Sequence, residues 1–184
     1  MHGTEAPSAW VRRWSHLAPA GGSVLDVACG RGRHLRWFAG RGHPVVGVDR
    51  DADALASLAG VGRRVQADIE NGPWPFAGET FGAVVVTNYL WRDLLPTLAA
   101  SVAPGGVLIY ETFATDHATI GKPSRPDFLL RPGELLTAAG GLRTIAYEDG
   151  FCEAPDRFVQ RLAAVRPAGP DAAPAPRFLL DAAG

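Results

Sequence analysis

Residues 24–34 read Val24-Leu25-Asp26-Val27-Ala28-Cys29-Gly30-Arg31-Gly32-Arg33-His34. An apolar run carries an acid, a turn of small residues follows, and a helical pattern begins. The order predicts a strand–loop–helix corner, where small residues let a ligand approach the backbone and the helix N-terminus favours negative charge. Several nucleotide-binding folds share such a corner. The acid inside it, Asp26, begins to separate them.

Strand and helix patterns alternate on either side of this corner. Trp10, Val11, Trp14 and Leu17 fall on one helical face, which predicts a helix over 8–18 stopping near Pro19. Apolar runs predict strands at 23–28, 44–49, 63–67, 81–87 and 107–113, the third more polar and so nearer a sheet edge. Between them lie a helix over 33–39, one capped by Asp51 and ended by Gly60, and one over 93–102 closed by Pro104-Gly105-Gly106. Pro132 and Glu134 start a further helix that Gly140-Gly141 stops. Such alternation predicts an α/β fold, a mostly parallel sheet with helices on both faces. The ending differs: runs at 142–147 and 157–165 have no helix between them, which predicts an antiparallel hairpin closing one sheet edge.

At 184 residues the chain suits one domain, expected over 8–166, followed by an Ala/Pro-rich tail over 167–184 expected to be flexible, with Phe178-Leu179-Leu180 available to dock. A formal net charge of −1 gives no electrostatic reason for tight nonspecific nucleic-acid binding. No apolar stretch approaches bilayer length and 1–7 lack the regions of a signal peptide, so the cytoplasm is the expected compartment and no membrane partner is expected. Cys29 and Cys152 make neither a disulfide framework nor a metal motif, and the five histidines lack ligand spacing, so no metal is expected. Cys29 itself has two readings, a small residue filling a tight turn or a reactive thiol near a helix N-terminus.

Asp26, Asp49, Asp68 and Asn88 fall at the C-terminal ends of successive predicted parallel strands, the edge where open α/β sheets bind ligands. Asp49 lies 19 residues beyond Gly30, a distance that suits a carboxylate accepting from both ribose hydroxyls of an adenosine. A dinucleotide site would add a third glycine in the helix, but Leu35 follows Gly30 and Gly32 instead. Asp26 would also repel a pyrophosphate, whereas it suits an ammonium. A ligand with an adenosine end and an ammonium end is S-adenosylmethionine.

On these motifs the chain resembles the class I S-adenosylmethionine-dependent methyltransferases over residues 8 to about 166. VLDVACGRGRH resembles the family's first motif, VVGVDRD the second and VQADIE the third; FGAVVVTNYL and VAPGGVLIYETF resemble the later ones. The resemblance implies a Rossmann-like seven-stranded sheet of order 3-2-1-4-5-7-6 with strand 7 antiparallel. It also implies a cofactor site formed by Asp26, Ala28, Cys29, Gly30, Gly32, Arg33, Asp49, Arg50, Asp68, Ile69 and Asn88. In that site Asp49 would hold the ribose, Asp68 the adenine amino group and the Ile69 N–H a ring nitrogen. Ala28 stands where the family often has glycine. Compact size and the VACGRGRH form further resemble small bacterial enzymes of the tellurite-resistance type.

The acceptor side is less legible. Methyl transfer from a sulfonium is an in-line displacement, so the protein's main contribution is alignment and exclusion of water, with a base needed only for an acceptor that must lose a proton. Tyr89, Glu111 and His117 are the candidate catalytic groups, and Tyr89 and Trp91 either stack on a planar substrate or form a pocket wall. The long connection 115–131, which holds Lys122, Arg125 and Arg131, reads either as a substrate-facing lid or as a solvated surface loop. Arg12 or Arg13 on the first helix competes with Arg33 for the cofactor carboxylate. The expectation is a methyltransferase acting on a small-molecule acceptor, with nucleic acid disfavoured by the near-neutral charge. An RNA methyltransferase and a non-catalytic S-adenosylmethionine-binding regulator stand as alternatives.

Overall fold

The computed structural model describes residues 6–169 and 176–181. Seven strands form one sheet of order β3-β2-β1-β4-β5-β7-β6. In chain order they are β1 (Val24–Val27), β2 (Val45–Asp49), β3 (Arg63–Gln66), β4 (Phe81–Thr87), β5 (Val102–Phe113), β6 (Arg143–Cys152) and β7 (Arg157–Val165). The first five pair in parallel, and β7 runs antiparallel between β5 and β6. This is the order that the family resemblance implies and the hairpin that the sequence pattern predicts. Among the described residues, no helix is long and apolar enough to cross a membrane.

The helices are α1 (Ala9–Trp14), α2 (Arg33–Ala39), α3 (Ala52–Ala56), α4 (Leu95–Ala100) and α5 (Glu134–Ala138). Alternate residues along each strand feed two cores, as the pleat requires. Val24, Val85 and Ile109 pack with Trp10, Trp14 and Phe38 on the α1, α2 and α3 face. Leu25, Val84 and Leu108 pack with Phe76, Leu98 and Leu135 on the α4 and α5 face. Asp26 and Glu111 share the strand parity of Val24 and Ile109, so both acids point under α1 and α2.

Three boundaries differ from expectation, each for a local reason. The helix expected over 93–102 is a 3-10 turn, Arg92–Leu94, followed by α4 with Pro96 in its first turn, the position where a missing N–H is harmless. β5 begins at Val102 rather than at residue 107, so Pro104-Gly105-Gly106 lies inside the strand beside a register shift against β4. β6 continues to Cys152 by pairing with β7, an extension the sequence hides because 148–151 are exposed on both faces at the sheet edge and carry no apolar alternation. The tail expected over 167–184 lies partly outside the described residues. Within them, His16 Nε2 contacts the Leu179 carbonyl at 2.9 Å, and Phe178 lies 5.4 Å from the Arg143 guanidinium.

Candidate active site

The glycine corner folds as a tight hook over the end of β2. Ala28 leaves β1 with φ 52°, a left-handed conformation that L side chains avoid. The Cys29 N–H then donates to the Val48 carbonyl at 3.0 Å, and Gly32 to Cys29 at 2.8 Å. Gly32, at φ 69°, caps α2, and a Cβ there would overlap the Leu58 side chain. The close helix–strand approach that a third helical glycine would allow is supplied from the strand instead. A Cβ on Gly47 of β2 would stand 2.7 Å from Leu35 Cδ1 and 2.8 Å from Cys29 Sγ. Leu35 therefore fits because Gly47 lies beneath it.

Asp49 closes this hook. Its Oδ2 accepts from the Gly30 N–H at 2.7 Å and its Oδ1 from the Asp51 N–H at 2.9 Å. Each carboxylate oxygen keeps lone-pair capacity for a further donor. Asp51 caps α3, accepting from Asp53 and Ala54 N–H, which leaves Asp49 free of that duty. Asp68 plays the capping part on the next loop, accepting from the Asn71 side chain and from the Glu70 and Asn71 N–H groups, and these bonds hold its carboxyl below the usual range. Ala28, Asp49, Arg50, Asp68 and Ile69, all expected site residues, line one cavity of about 220 Å³ together with Ala67, Glu70 and Tyr89.

The other expected residues stand around this cavity. Cys29 is buried and its Sγ faces the Gly30 carbonyl at 3.7 Å; burial, then the Asp26 and Asp49 charges, push its thiol well up, so it fills the turn as a thiol. Asn88, with φ 54°, donates its N–H to the Glu111 carbonyl at 2.9 Å where β4 ends. Arg33 opens α2 and, like Gly30 and Gly32, does not line the cavity.

Asp26 is 1% exposed and its Oδ2 has no hydrogen-bond partner. His34 Nδ1 stands 3.7 Å from that oxygen, beyond hydrogen-bond range. A buried carboxylate left short of donors is costly, so Asp26 can take up further donors, from His34 on the Oδ2 side and from a ligand. A cavity of about 220 Å³ beside the Asp49 carboxylate, together with the buried Asp26, fits S-adenosylmethionine: Asp49 would hold the ribose, Ile69 and Asp68 the adenine, and Asp26 the ammonium.

The candidate catalytic groups are dispersed. Tyr89 reaches the cavity wall; burial, followed by the Glu70 charge, pushes its hydroxyl up, so at neutral pH it is a neutral donor. Glu111 is fully buried and paired, accepting from Arg161 Nε at 2.5 Å, Ser8 Oγ at 3.0 Å and Arg157 at 3.4 Å. His117 is buried outside the cavity, its ring 4.4 Å from Phe113 and its Nε2 3.1 Å from the Lys122 carbonyl. Arg13 faces β6, pairing with Glu148 at 3.4 Å.

The connection 115–131 is tied down at several points. It carries two 3-10 turns, Thr115–Thr119 and Pro126–Phe128, and buries Leu129 and Leu130. Arg92 clamps it, donating to the Asp127 and Leu129 carbonyls and to both oxygens of Glu134. Its cationic side chains, Lys122, Arg125 and Arg131, stay exposed. Beside it, Trp91, Arg92, Asp93, Arg125, Asp127 and Phe128 bound a second, open cleft of about 430 Å³. Trp91 is two residues along the chain from Tyr89 of the first cavity.

Sequence reading misses Ser8 altogether. It is the N-cap of α1, with its Oγ accepting from Trp10 and Val11 N–H, and it joins Glu111 to His34. A serine before an amphipathic run is a legible cap, but its long-range partners leave no local signal. Glu70 in the cavity wall was likewise unassigned.

Fold and donor corner together define a nucleotide-type methyl-donor site on a Rossmann-like sheet. These are the fold and the motif order of the class I S-adenosylmethionine-dependent methyltransferases. A family model described as a methyltransferase domain matches residues 24–106. TehB from Haemophilus influenzae superposes with a TM-score of 0.69 at 19% identity, covering 90% of this chain and 64% of that one. An S-adenosylmethionine-dependent methyltransferase from Mesorhizobium loti gives 0.65 at 18% identity, covering 83% and 95%. At these identities the two structures speak for the fold.

A curated relative from Klebsiella pneumoniae, named tRNA U34 carboxymethyltransferase, is 30% identical over 162 residues, 78% of this chain and 48% of the relative. The chain thus spans about half the length of the curated relatives it matches. Their name overturns the expectation of a small-molecule acceptor with nucleic acid unlikely. Net charge sums the whole surface, whereas RNA binding needs only a local cationic patch, so a value of −1 cannot carry that exclusion.

Proposed function

We propose that this chain transfers a methyl group from S-adenosylmethionine to an RNA acceptor, in the cytoplasm and without a metal. One observation on the protein carries the acceptor half: Trp91 of the open aromatic cleft, whose Arg92 and Arg125 are matched by Asp93 and Asp127, lies two residues along the chain from Tyr89 of the donor cavity. Phe128 is 40% exposed, and the Arg125 guanidinium lies 5.3 Å from its ring centroid. Single-stranded RNA is recognised by stacking unpaired bases on aromatic and guanidinium planes, with cations tracking the backbone. The name of the curated relatives favours the same class of acceptor.

The bound donor supplies an electrophilic methyl on a sulfonium and a neutral thioether leaving group. Asp49 and the Ala28 turn fix the adenosine, so the direction of transfer is set before the acceptor arrives. Tyr89 lines the donor cavity with its neutral hydroxyl beside Glu70, and its ring helps to exclude water there. Glu111 does not act as base in this reading, because its oxygens already hold Ser8, Arg157 and Arg161.

The test incubates the protein with S-adenosylmethionine labelled in the methyl group and total tRNA, alongside a small-molecule panel. Label should enter RNA, fall as salt rises, and disappear when Phe128 and Arg125 are both replaced by alanine. Mass spectrometry of the digested nucleosides then separates methyl from carboxymethyl and locates the atom. Label that enters only small molecules, from a protein that binds S-adenosylhomocysteine, refutes the RNA reading.

A further inference from the structure

Ser8, His34 and Asp26 form a chain of contacts that runs from the first helix to the donor corner. Ser8 lies before α1, His34 is the second residue of α2 and Asp26 sits within β1. The Ser8 backbone N–H donates to His34 Nε2 at 3.2 Å. A backbone N–H can only donate, so Nε2 is the accepting nitrogen and the ring proton resides on Nδ1. That Nδ1–H faces Asp26 Oδ2 at 3.7 Å, and all three residues are buried, at 8%, 2% and 1% exposure. Asp26 Oδ2 has no other partner. The ring therefore stands one small adjustment from the carboxylate oxygen that most needs a donor.

We propose that His34 is a positioning residue for Asp26, and through it for the ammonium of the donor. Ser8 fixes the tautomer that makes this possible, so recognition of the ammonium depends on α1 being docked. The inference rests on the donor reading above and extends it to residues outside the glycine corner. The amino-acid end of the donor is read by one oxygen of Asp26 while His34 holds the other. Ser8 also bonds Glu111 through its Oγ, which anchors the cap to β5 independently of the histidine. The two halves of Ser8 thus have separable duties: Oγ holds the helix and the backbone N–H sets the imidazole.

Two amides divide the functions of the imidazole. An asparagine at 34 places an N–H close to the Nδ1 position and keeps a donor toward Asp26. A glutamine places a carbonyl close to the Nε2 position and keeps an acceptor for Ser8, without the donor. Calorimetry with S-adenosylhomocysteine, which carries the ammonium, and 5′-methylthioadenosine, which lacks it, reads the effect on each end of the ligand. Wild type should prefer S-adenosylhomocysteine. His34→Gln and His34→Leu should reduce that preference by about tenfold, the scale of one hydrogen bond to a charged group. His34→Asn should retain it, and 5′-methylthioadenosine should bind all four proteins alike.

Ser8→Ala, which keeps the N–H, should leave the preference intact. Ser8→Pro removes the N–H at a residue whose φ of −50° suits proline, and should lower the preference as His34→Gln does. Melting temperatures of the ligand-free variants report folding separately. Equal weakening of both ligands, or a His34→Asn variant no better than His34→Leu, overturns the proposal and leaves His34 as packing. A wild-type protein that binds neither ligand overturns the donor reading itself.

Discussion

Removing the Asp49 carboxylate tests the ribose assignment most directly. Both of its oxygens are already engaged, with Gly30 N–H at 2.7 Å and Asp51 N–H at 2.9 Å, and each retains capacity toward the cavity. Asp49→Ala therefore does two things. It frees the glycine hook, and it deletes the acceptors for two ribose hydroxyls. Hydrogen bonds to a charged group are worth about 1.5–3 kcal/mol, so S-adenosylhomocysteine should bind about 10- to 150-fold more weakly. The two effects separate with a 2′-deoxy ligand. Wild type should lose affinity when the hydroxyl is removed, whereas Asp49→Ala should be nearly indifferent, because the partner is already gone. Asp49→Asn keeps one oxygen but turns an amide donor toward one of the two backbone N–H groups, so it should bind little better than alanine. Calorimetry measures all six combinations. A variant that discriminates against the 2′-deoxy ligand as strongly as wild type shows that Asp49 serves the hook alone, and the ribose assignment falls.

Glu111→Gln should destabilise the fold by about 3–5 kcal/mol in chemical denaturation, because the largely buried Arg157 loses its counter-charge and Arg161 keeps only the exposed Glu148; adding Arg157→Met should recover part of the loss. Ala28→Gly relieves a left-handed alanine and should raise stability by about 0.5–1 kcal/mol after the flexibility of glycine is counted, seen as a melting temperature at or above wild type. Burial pushes the Glu134 carboxyl up, but the bonds from Arg92 and the Arg131 N–H outweigh this and hold it below its ordinary value of 4.5. A carboxyl lowered in the folded state stabilises above its unfolded value and loses that contribution as the pH falls through the folded one. The melting-temperature deficit of Glu134→Gln should therefore be full at neutral pH and shrink below pH 4.5; a deficit that is constant with pH refutes the pairing.

The donor half of the site was legible because it is made of short segments that each carry their own pattern. An apolar strand ending in Asp49, a short strand followed by Asp68, and a turn of small residues after Asp26 are local features, and β4 and β7 fell on their expected residues for the same reason. Residues whose partners are distant in sequence were not legible. Ser8 meets Glu111 across 103 positions, and Arg92 meets Glu134 across 42. Gly47 offered a subtler signal: a glycine inside an apolar strand marks a close approach, here by Leu35, and explains why the helix needed no third glycine.

The same distinction explains why the acceptor side resisted reading. The cleft proposed for the acceptor is assembled from the loop after β4 and the turn at Pro126–Phe128, segments brought together by Arg92. On the α1 face of the sheet runs an ionic chain, Glu111 to Arg161 to Glu148 to Arg13, which ties β5, β7, β6 and α1 together. The exposed links of that chain contribute little individually, but the Glu111 end is buried and its arginine partners nearly so. The cleft loops are thus held by the Arg92 clamp and the sheet floor under α1 by charge pairs, while the donor corner is locked by backbone hydrogen bonds. Substitutions at Phe128 or Arg125 should therefore alter acceptor use without touching donor affinity. Loss of the Arg92 clamp should disturb acceptor use through the loop as a whole. Comparing donor affinity with RNA affinity in Arg92→Ala checks this: equal losses of both would mean that the two halves of the site are mechanically coupled and the floor is softer than its charge pairs imply.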